Sequence, residues 1–386
     1  MNNSVAVVGV GLTKFGEQWK LSLKDLLAQA QFAALDDAKL SPKQIDMIVT
    51  GNMLGGEFAG QNHLGAVASE ILNITVPSFR VEGACASGSL ALVAGINAIR
   101  SGNAEIVLVN GVEKMTDMQT NQVNTGLMSA SDEETEGFVG ATFCGLYAMM
   151  ARAYMHQYGL TRQQLALVSV KNHKHGSLNP IAQFKNEITV DQVMQASVIA
   201  DPLTVLDCSP ISDGAAAVIL ASESVARKIT DTPIWIEGSS IATDTIAIHN
   251  RSSLLEMPAT AIAAQNAYKQ AKISPKQISI TEVHDCFTIA EILAMEGLGL
   301  VEKGSAGKAV EEGMTYFDGK IPINPCGGLK ACGHPIGATG VKQVVEVATQ
   351  LRGEAGKRQV SNPIYGLTHN VGGTGATVAV NIFKRN

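Results

Sequence analysis

The sequence AKLSPKQI at residues 38–45 returns as AKISPKQI at residues 271–278, with a single exchange of leucine for isoleucine. A helical stretch precedes each copy, at residues 23–37 and 259–270, and a short apolar run follows each copy. Self-similarity of this kind is the signature of a duplicated structural unit. The order of elements around the repeat therefore predicts two related α/β halves in one chain.

Continuous apolar runs in both halves predict strands of a sheet that is covered by helices on both faces. These runs lie at residues 5–10, 106–109, 215–220, 278–283 and 377–382. Helical stretches alternate with them, so the predicted fold class is α/β. A polar stretch rich in Asn and Gln interrupts the pattern at about residues 115–206. We therefore predict a first half at residues 1–230, which includes this insertion, and a second half at residues 231–386.

The composition of the 386 residues is that of a globular protein, with 46% hydrophobic and 17% charged side chains. A net charge of −6 argues against nucleic-acid binding, which needs clustered cations. The six cysteines lack the spacing of a metal site, which favours free thiols in a reducing compartment. No apolar run is long enough to cross a membrane. We expect a cytoplasmic protein without a membrane or nucleic-acid partner.

The segment VEGACASGS at residues 81–89 places Cys85 between an extended stretch and a predicted buried helix at residues 89–100. The positive end of that helix favours a thiolate, and the small neighbours Ala84 and Ala86 leave room for a thioester. These features predict a nucleophile. The alternative is a small buried side chain, which is the commoner role of a single cysteine.

The segment VHDCF at residues 283–287 follows the second copy of the repeat, at the predicted end of a strand, where α/β sheets bind their ligands. His284 and Cys286 lie two residues apart, so in extended backbone both point to one face. A metal site is disfavoured because no further ligand follows at a recognisable spacing. Acid–base chemistry is the better interpretation.

Two glycine-rich segments in the second half each carry a histidine. In GGLKACGHPIGATG at residues 327–340, glycines bracket His334 just before a helical stretch. In THNVGGTG at residues 368–375, His369 and Asn370 precede flexible backbone. Glycine lets the backbone and neighbouring side chains approach a ligand closely. A structural turn is the alternative for the first segment, and a glycine hairpin is the alternative for the second.

Taken together and in this order, the four segments resemble the thiolase family, and the resemblance runs along the whole chain. VLVNGVEKM at residues 107–115 and SDGAAAVILAS at residues 212–222 add to it. HDCF looks like the branch shared by sterol-carrier-protein-type thiolases and archaeal-type acetyl-CoA acetyltransferases. The better-known branch has a catalytic cysteine about where His369 stands here. The resemblance implies the thiolase fold, in which two duplicated βαβαβαββ halves form a layered αβαβα sandwich.

The resemblance also implies an enzyme that condenses or cleaves acyl-coenzyme A thioesters through an acyl-enzyme. Cys85 would carry the acyl group, assisted by His334, and Cys286 would move the α-proton of the second substrate. His334 would stabilise the enolate oxygen together with a group held by His284.

Further residues enter only through this resemblance. The backbone N–H groups expected to bind the thioester oxygen are those of Cys85, Val371, Gly372 and Gly373. Ser240 matches a serine that contacts the pantetheine arm of coenzyme A. His369 and Asn370 are left as catalytic or structural.

Coenzyme A and its acyl derivatives are expected as substrates, with no permanently bound cofactor and no metal. The family resemblance implies a homodimer or homotetramer and a small zinc-containing accessory protein as a partner. Two other functions stay open at this point. One is a related aldol or decarboxylative condensing enzyme, and the other is a non-catalytic subunit that binds acyl-coenzyme A.

Overall fold

A computed structural model describes residues 4–386 as a nine-stranded sheet and a separate hairpin, with helices packed on both faces of the sheet. The strands are β1 Val5–Leu12, β2 Met47–Gly51, β3 Ser78–Val81, β4 Ile106–Glu113, β5 Val198–Ala200, β6 Leu203–Thr204, β7 Gly214–Ser222, β8 Ile234–Thr243, β9 Ile280–Glu282, β10 Tyr365–Gly372 and β11 Thr377–Arg385. The helices are α1 Leu23–Ala38, α2 Gly55–Phe58, α3 Leu64–Leu72, α4 Ser87–Arg100, α5 Thr120–Met128, α6 Phe143–Tyr158, α7 Arg162–Ser177, α8 Val190–Gln195, α9 Glu223–Ile229, α10 Pro258–Ala271, α11 Thr288–Gly297, α12 Ala306–Glu311, α13 Gly328–Cys332 and α14 Ile336–Arg352.

The order of the strands confirms the duplication. The first half contributes β3-β2-β4-β7-β1 and the second half continues with β8-β11-β10-β9, so each half runs through the same sequence of positions in mirrored order. A parallel bridge between Thr281 and Ile323 stands where the second half would place its outermost strand. The halves join where β1 and β8 pair antiparallel, with Ala6 opposite Trp235.

The repeated sequence forms the same local structure in both halves. In both copies a lysine in left-handed conformation ends the helix, with φ of 55° at Lys39 and 56° at Lys272. A Ser-Pro-Lys-Gln turn follows, and the backbone N–H of its serine donates to the glutamine side chain, at 2.9 Å from Ser41 and 3.0 Å from Ser274. This is a capping box with proline at the first helical position. Each copy therefore redirects the chain from a helix into a strand.

The helices form three layers, as expected for the layered sandwich: one on the first half, one on the second half and one between the two halves. α1 covers β1 and β7 on one side, and α10 covers β8 and β11 in the same way. α4 and α14 pack against each other between the two halves. The two helices cross so closely that a Cβ on Gly88 would lie 2.7 Å from the backbone oxygen of Gly337. The N-terminal ends of both central helices are thereby brought to one place.

The helices that lie between β4 and β7 in the chain pack on the second half. Tyr147 and Met150 of α6 and Leu165 of α7 belong to the same buried cluster as Ile289 of α11. The boundary at residue 230 stays a prediction. Among residues 4–386, no helix combines the length and the hydrophobicity needed to cross a bilayer.

Candidate active site

A cavity of about 110 Å³ lies where the central helices begin. Its wall contains five of the predicted site residues, Cys85, His284, Cys286, His334 and Gly373. The sulphur of Cys85 and one ring nitrogen of each histidine lie within 4.8 Å of one another. Residues from loops far apart in sequence thus meet in one small chamber, with Cys85 from the first half and the others from the second.

The loop that carries Cys85 is held in an unusual backbone conformation. Ala84 has a φ of 52°, a left-handed conformation that costs a residue with a side chain about 1–2 kcal/mol. The Ser87 hydroxyl accepts from the N–H of Gly83 at 3.0 Å and donates to the oxygen of Ala84 at 2.6 Å. This one side chain closes the turn, so that Cys85 stands just ahead of the first residue of α4.

Burial raises the pKa of the Cys85 thiol to about 12, and the nearby carboxylate of Glu113 adds to the rise. The backbone N–H groups of Gly373 and of Cys85 itself face the sulphur and favour the anion, but burial outweighs them. The helix end therefore does not by itself bring the pKa of this thiol below its ordinary value. A neutral thiol needs a base to remove its proton before it can attack a carbonyl group.

His334 is placed to be that base. Its Nδ1 lies 2.7 Å from the Thr339 hydroxyl, which donates its only proton to the oxygen of Pro335 at 2.9 Å. The hydroxyl therefore accepts from Nδ1–H, and Nε2 keeps a free lone pair. Burial, with the cation of Lys342, lowers the pKa of His334 to about 3. The imidazole is neutral at physiological pH, so Nε2 presents a lone pair, and an anion formed beside the ring would stabilise the imidazolium against the effect of burial.

His284 has the opposite tautomer. The Asn370 amide nitrogen donates to the oxygen of Cys85 at 3.0 Å, which fixes the amide orientation, and the same nitrogen lies 3.1 Å from Nδ1 of His284. Nδ1 therefore accepts, and the proton of the neutral ring resides on Nε2. That Nε2–H is buried and has no partner within the described residues. An unpaired buried donor beside a reactive thiol is suited to an oxyanion.

Cys286 and His284 both line the cavity, in agreement with the prediction that they point to one face. Asp285, between them, points away and accepts from the N–H of Leu329 at 2.7 Å, at the start of α13. Burial raises the pKa of the Cys286 thiol well above its ordinary value, so this second cysteine also rests protonated. Asp285 thus ties the strand end to the loop that carries His334.

The glycine loop after β10 approaches the nucleophile loop closely. Val371 and Gly372 are paired with Val378 and Thr377 in the sheet, whereas Gly373 lies just beyond the strand. A Cβ on Gly372 would lie 2.5 Å from the oxygen of Gly83, so only glycine fits this contact. Of the predicted backbone donors, Gly373 and Cys85 face the sulphur.

His369 and Ser240 lie outside the cavity wall. Nε2 of His369 lies 3.0 Å from the Thr260 hydroxyl of α10, because neighbouring residues of a strand point to opposite faces. Asn370, and not His369, therefore contacts the cavity loops. Ser240 is paired with Val380 in the sheet and is half-buried, and its contact with a pantetheine arm stays a prediction.

Three residues were missed in the sequence, and each acts through a neighbour. Glu113, fully buried, accepts from the N–H groups of Met53, Leu54 and Gly337 and so joins three loops. Thr339 sets the tautomer of His334. Tyr147 reaches the cavity from the insertion. Glu113 lay in VLVNGVEKM and Thr339 in GGLKACGHPIGATG, both segments already noted, whereas no local pattern marks Tyr147.

Cys85, His284 and His334 are also a set of donor types that soft metals accept. The same three atoms are needed for proton transfer and oxyanion binding, so the geometry is explained without an ion. The expectation of no metal stays a prediction.

Comparison with known proteins gives full-length matches. The family description "Thiolase, N-terminal domain" fits residues 5–224, and "Thiolase C-terminal domain-like" fits residues 240–385. An acetyl-CoA acetyltransferase of Methanothermobacter thermautotrophicus is 53% identical over 99% of both chains. Sterol carrier protein 2 of Bos taurus is 36% identical over 100% of this chain and 73% of its own. The solved structure of the Ltp2-ChsH2(DUF35) aldolase superimposes with a TM-score of 0.87 at 24% identity, over 99% of this chain and 98% of its own, a likeness of fold alone.

Proposed function

The chain belongs to the thiolase family and is an acyltransferase, and on that premise we propose that Cys85 carries the acyl group. The observation behind this proposal is the approach of the Cys85 sulphur to two neutral histidines of opposite tautomer within 4.8 Å. Incubation with acetyl-CoA followed by peptide mass spectrometry tests it. We expect one acetyl group on Cys85, and an unmodified Cys85 during turnover would overturn the assignment.

In the first half-reaction His334 Nε2 takes the proton of Cys85, and the thiolate attacks the thioester carbonyl. The N–H groups of Cys85 and Gly373 bind the oxygen as it becomes negative. Coenzyme A leaves as a thiolate and takes the proton of Cys286. The acyl group is then on Cys85, and the cavity holds an imidazolium and the thiolate of Cys286, whose opposite charges stabilise each other.

In the second half-reaction the Cys286 thiolate removes an α-proton from a second acyl-coenzyme A. The enolate oxygen accepts from the Nε2–H of His284 and from the proton now on His334. The enolate carbon attacks the acyl group on Cys85, and the leaving thiolate recovers its proton from His334. Both thiols are restored, and the same steps in reverse describe thiolysis.

We propose that the acyl group is short. A cavity of about 150 Å³ is enough to hold benzene, and this chamber of about 110 Å³ must also admit the thioester. The name of the 53% identical relative points to the acetyl group as well. Thiolysis rates for 3-ketoacyl-coenzyme A substrates of increasing length should fall at least tenfold beyond six acyl carbons. A loss of about this size is usual when one or two methylene groups do not fit an apolar pocket. Equal rates for a long chain would overturn this proposal.

Coenzyme A is proposed as a substrate that comes and goes, with no resident cofactor. A homo-oligomer is proposed from the family resemblance, and a cytoplasmic location is proposed from the free thiols. An accessory partner is supported by the name of the structural neighbour, which is a complex containing a DUF35 protein. Size-exclusion chromatography with light scattering tests the oligomer, and affinity capture from the source cell tests the partner.

The aldol alternative is disfavoured by Cys286, because a second thiol beside Cys85 serves Claisen chemistry and has no task in an aldol cleavage. A non-catalytic binding subunit would need an unreactive Cys85. Alkylation of Cys85 by iodoacetamide, with protection by prior acetylation, distinguishes that alternative from an enzyme.

A further inference from the structure

The insertion contributes one side chain to the chamber that the catalytic scheme does not use. Tyr147, on α6, is 1% exposed and lines the cavity with Cys85 and Cys286. Its ring stacks on Phe287, the neighbour of Cys286, with ring centroids 4.6 Å apart. Its hydroxyl donates to the backbone oxygen of Gly373 at 3.0 Å. One phenol thus connects the strand end that carries Cys286 with the loop whose N–H faces Cys85.

The phenol of Tyr147 and the Cys286 thiol line the same cavity, and although burial raises the pKa of Cys286, the phenol beside it acts in the opposite direction and favours the thiolate. A phenol has one proton and can donate it to one acceptor at a time. While Cys286 is a thiol, that proton is donated to the backbone oxygen of Gly373. Once Cys286 is a thiolate, the sulphur is the stronger acceptor, since charged acceptors form hydrogen bonds about twice as strong as neutral ones.

We propose that Tyr147 is a positioning residue that turns its hydroxyl from Gly373 to Cys286 when that thiol becomes a thiolate. This inference rests on the proposed function, since it concerns the step in which Cys286 acts as a base. It assigns to the insertion a part in the α-proton step, in addition to any cover over the substrate. The phenol stabilises the thiolate at that step and releases the Gly373 loop at the same time.

Tyr147 does not serve as the base itself. Burial and the neighbouring Cys286 raise the pKa of Tyr147 well above its ordinary value, so it stays a phenol throughout. Its effect is confined to the free energy of the Cys286 thiolate. Loss of one hydrogen bond to a charged group costs a factor of about 10–100 in the population of the ion, which corresponds to about one to two pH units.

Tyr147→Phe tests the proposal, because it keeps the ring that stacks on Phe287 and removes the hydroxyl alone. The matched control is Tyr154→Phe, about two helix turns further along α6. Tyr154 is also 1% exposed, and its hydroxyl bonds to Glu296, away from the cavity wall. Both variants lose one buried phenol hydroxyl, so a general loss of packing would affect both.

Three measurements on the full chain separate the outcomes. They are the rate of acyl-enzyme formation from acetyl-CoA, the exchange of the α-protons of acetyl-CoA for deuterium as a function of pH, and the thermal stability of the protein. For Tyr147→Phe we expect exchange to fall about 10- to 100-fold at neutral pH and its rising limb to move about one to two pH units higher. Acylation should change less than threefold, since a thiolate leaving group departs without obligatory help. Tyr154→Phe should leave exchange and its pH profile as in the parent protein.

An equal fall of acylation and exchange in Tyr147→Phe, without a displaced pH profile, would mean a structural role and overturn the proposal. So would an exchange profile identical to the parent's. Failure of the proposed function is distinct, because then the parent protein itself would form no acyl group on Cys85.

Discussion

The two halves of the molecule share one scaffold and use it differently. In the first half, the loop leading into the central helix α4 carries Cys85, the proposed nucleophile. In the second half, the loop leading into the central helix α14 carries His334, the proposed base. Because α4 and α14 cross at Gly88 and Gly337, these two equivalent loop ends meet. Duplication followed by close packing therefore places two different reagents side by side.

The ends of β2 and β9 extend the comparison. The sequence offset that aligns residues 38–45 with 271–278 also aligns Asn52 with Asp285. Asn52 accepts from the N–H of Gly55 at 3.0 Å, and Asp285 accepts from that of Leu329 at 2.7 Å, so both are buried anchors of the first turn of a helix, α2 and α13 respectively. The residues after them differ, with Met53 in the first half and Cys286 in the second. The anchor is common, and the chemistry is specific to one half.

Removal of the nucleophile should have the largest effect. Cys85→Ala should lower turnover at least about 10⁴-fold and abolish the acyl-enzyme, because no other group can hold the acyl chain. Intact-protein mass spectrometry after incubation with acetyl-CoA measures the adduct. The matched control is Cys144→Ala, which alters another cysteine of the same cavity wall and should keep the adduct. An adduct on Cys85→Ala would place the nucleophile elsewhere.

Loss of the second thiol should separate the half-reactions. Cys286→Ala should keep acylation within about tenfold of the parent and slow condensation by about 10²–10⁴-fold, the usual contribution of a positioned proton-transfer group. Quenched assays of acyl-enzyme formation measure the first step, and deuterium exchange of the α-protons measures the second. Cys208→Ala, at the same cavity, is the control that should change neither. Equal loss of both steps would assign Cys286 a structural role.

The sequence predicts those parts of the fold and of the candidate site that depend on local patterns of residues. The repeat, the apolar runs and the glycine segments are local patterns, and they predicted the duplicated fold and five residues that line the cavity, Cys85, His284, Cys286, His334 and Gly373. The pKa of Cys85 depends on burial by groups distant in sequence, which the helix-end argument does not include. The sequence left both His369 and Asn370 open, because a motif without a strand register does not say which side chain faces the site. Tyr147 lay in an insertion whose packing only the folded chain reveals.

Exchange of the two anchors should break the symmetry between the halves. Asn52→Asp would set a carboxylate against Glu113, which now accepts from the Asn52 amide at 2.8 Å. Asp285→Asn would set an amide donor against that of Asn172, now 2.7 Å from the carboxylate. We expect each to lower the free energy of unfolding by about 1–3 kcal/mol, with the like-charged Asn52→Asp at the upper end. Urea unfolding measures both, and unchanged midpoints would show that neither anchor contributes measurably to the free energy of unfolding.

The smallest effect on activity is expected from a substitution in β8, one of the two central strands. β8 and β1 occupy equivalent positions, but they differ at the residue proposed to contact the pantetheine arm. The repeat offset aligns Ser240 of β8 with Val7 of β1, and Val7 is fully buried whereas Ser240 is half-buried. If Ser240 contacts the pantetheine arm, Ser240→Ala should raise KM for coenzyme A about 2- to 10-fold, the value of one hydrogen bond, with kcat unchanged. The control is Ser239→Ala, since Ser239 points to the other face of β8 and bonds to Asn381 at 2.7 Å. A KM that rises in the control and not in Ser240→Ala would show that the opposite face of β8 meets the substrate, and would place the arm on the side of Asn381.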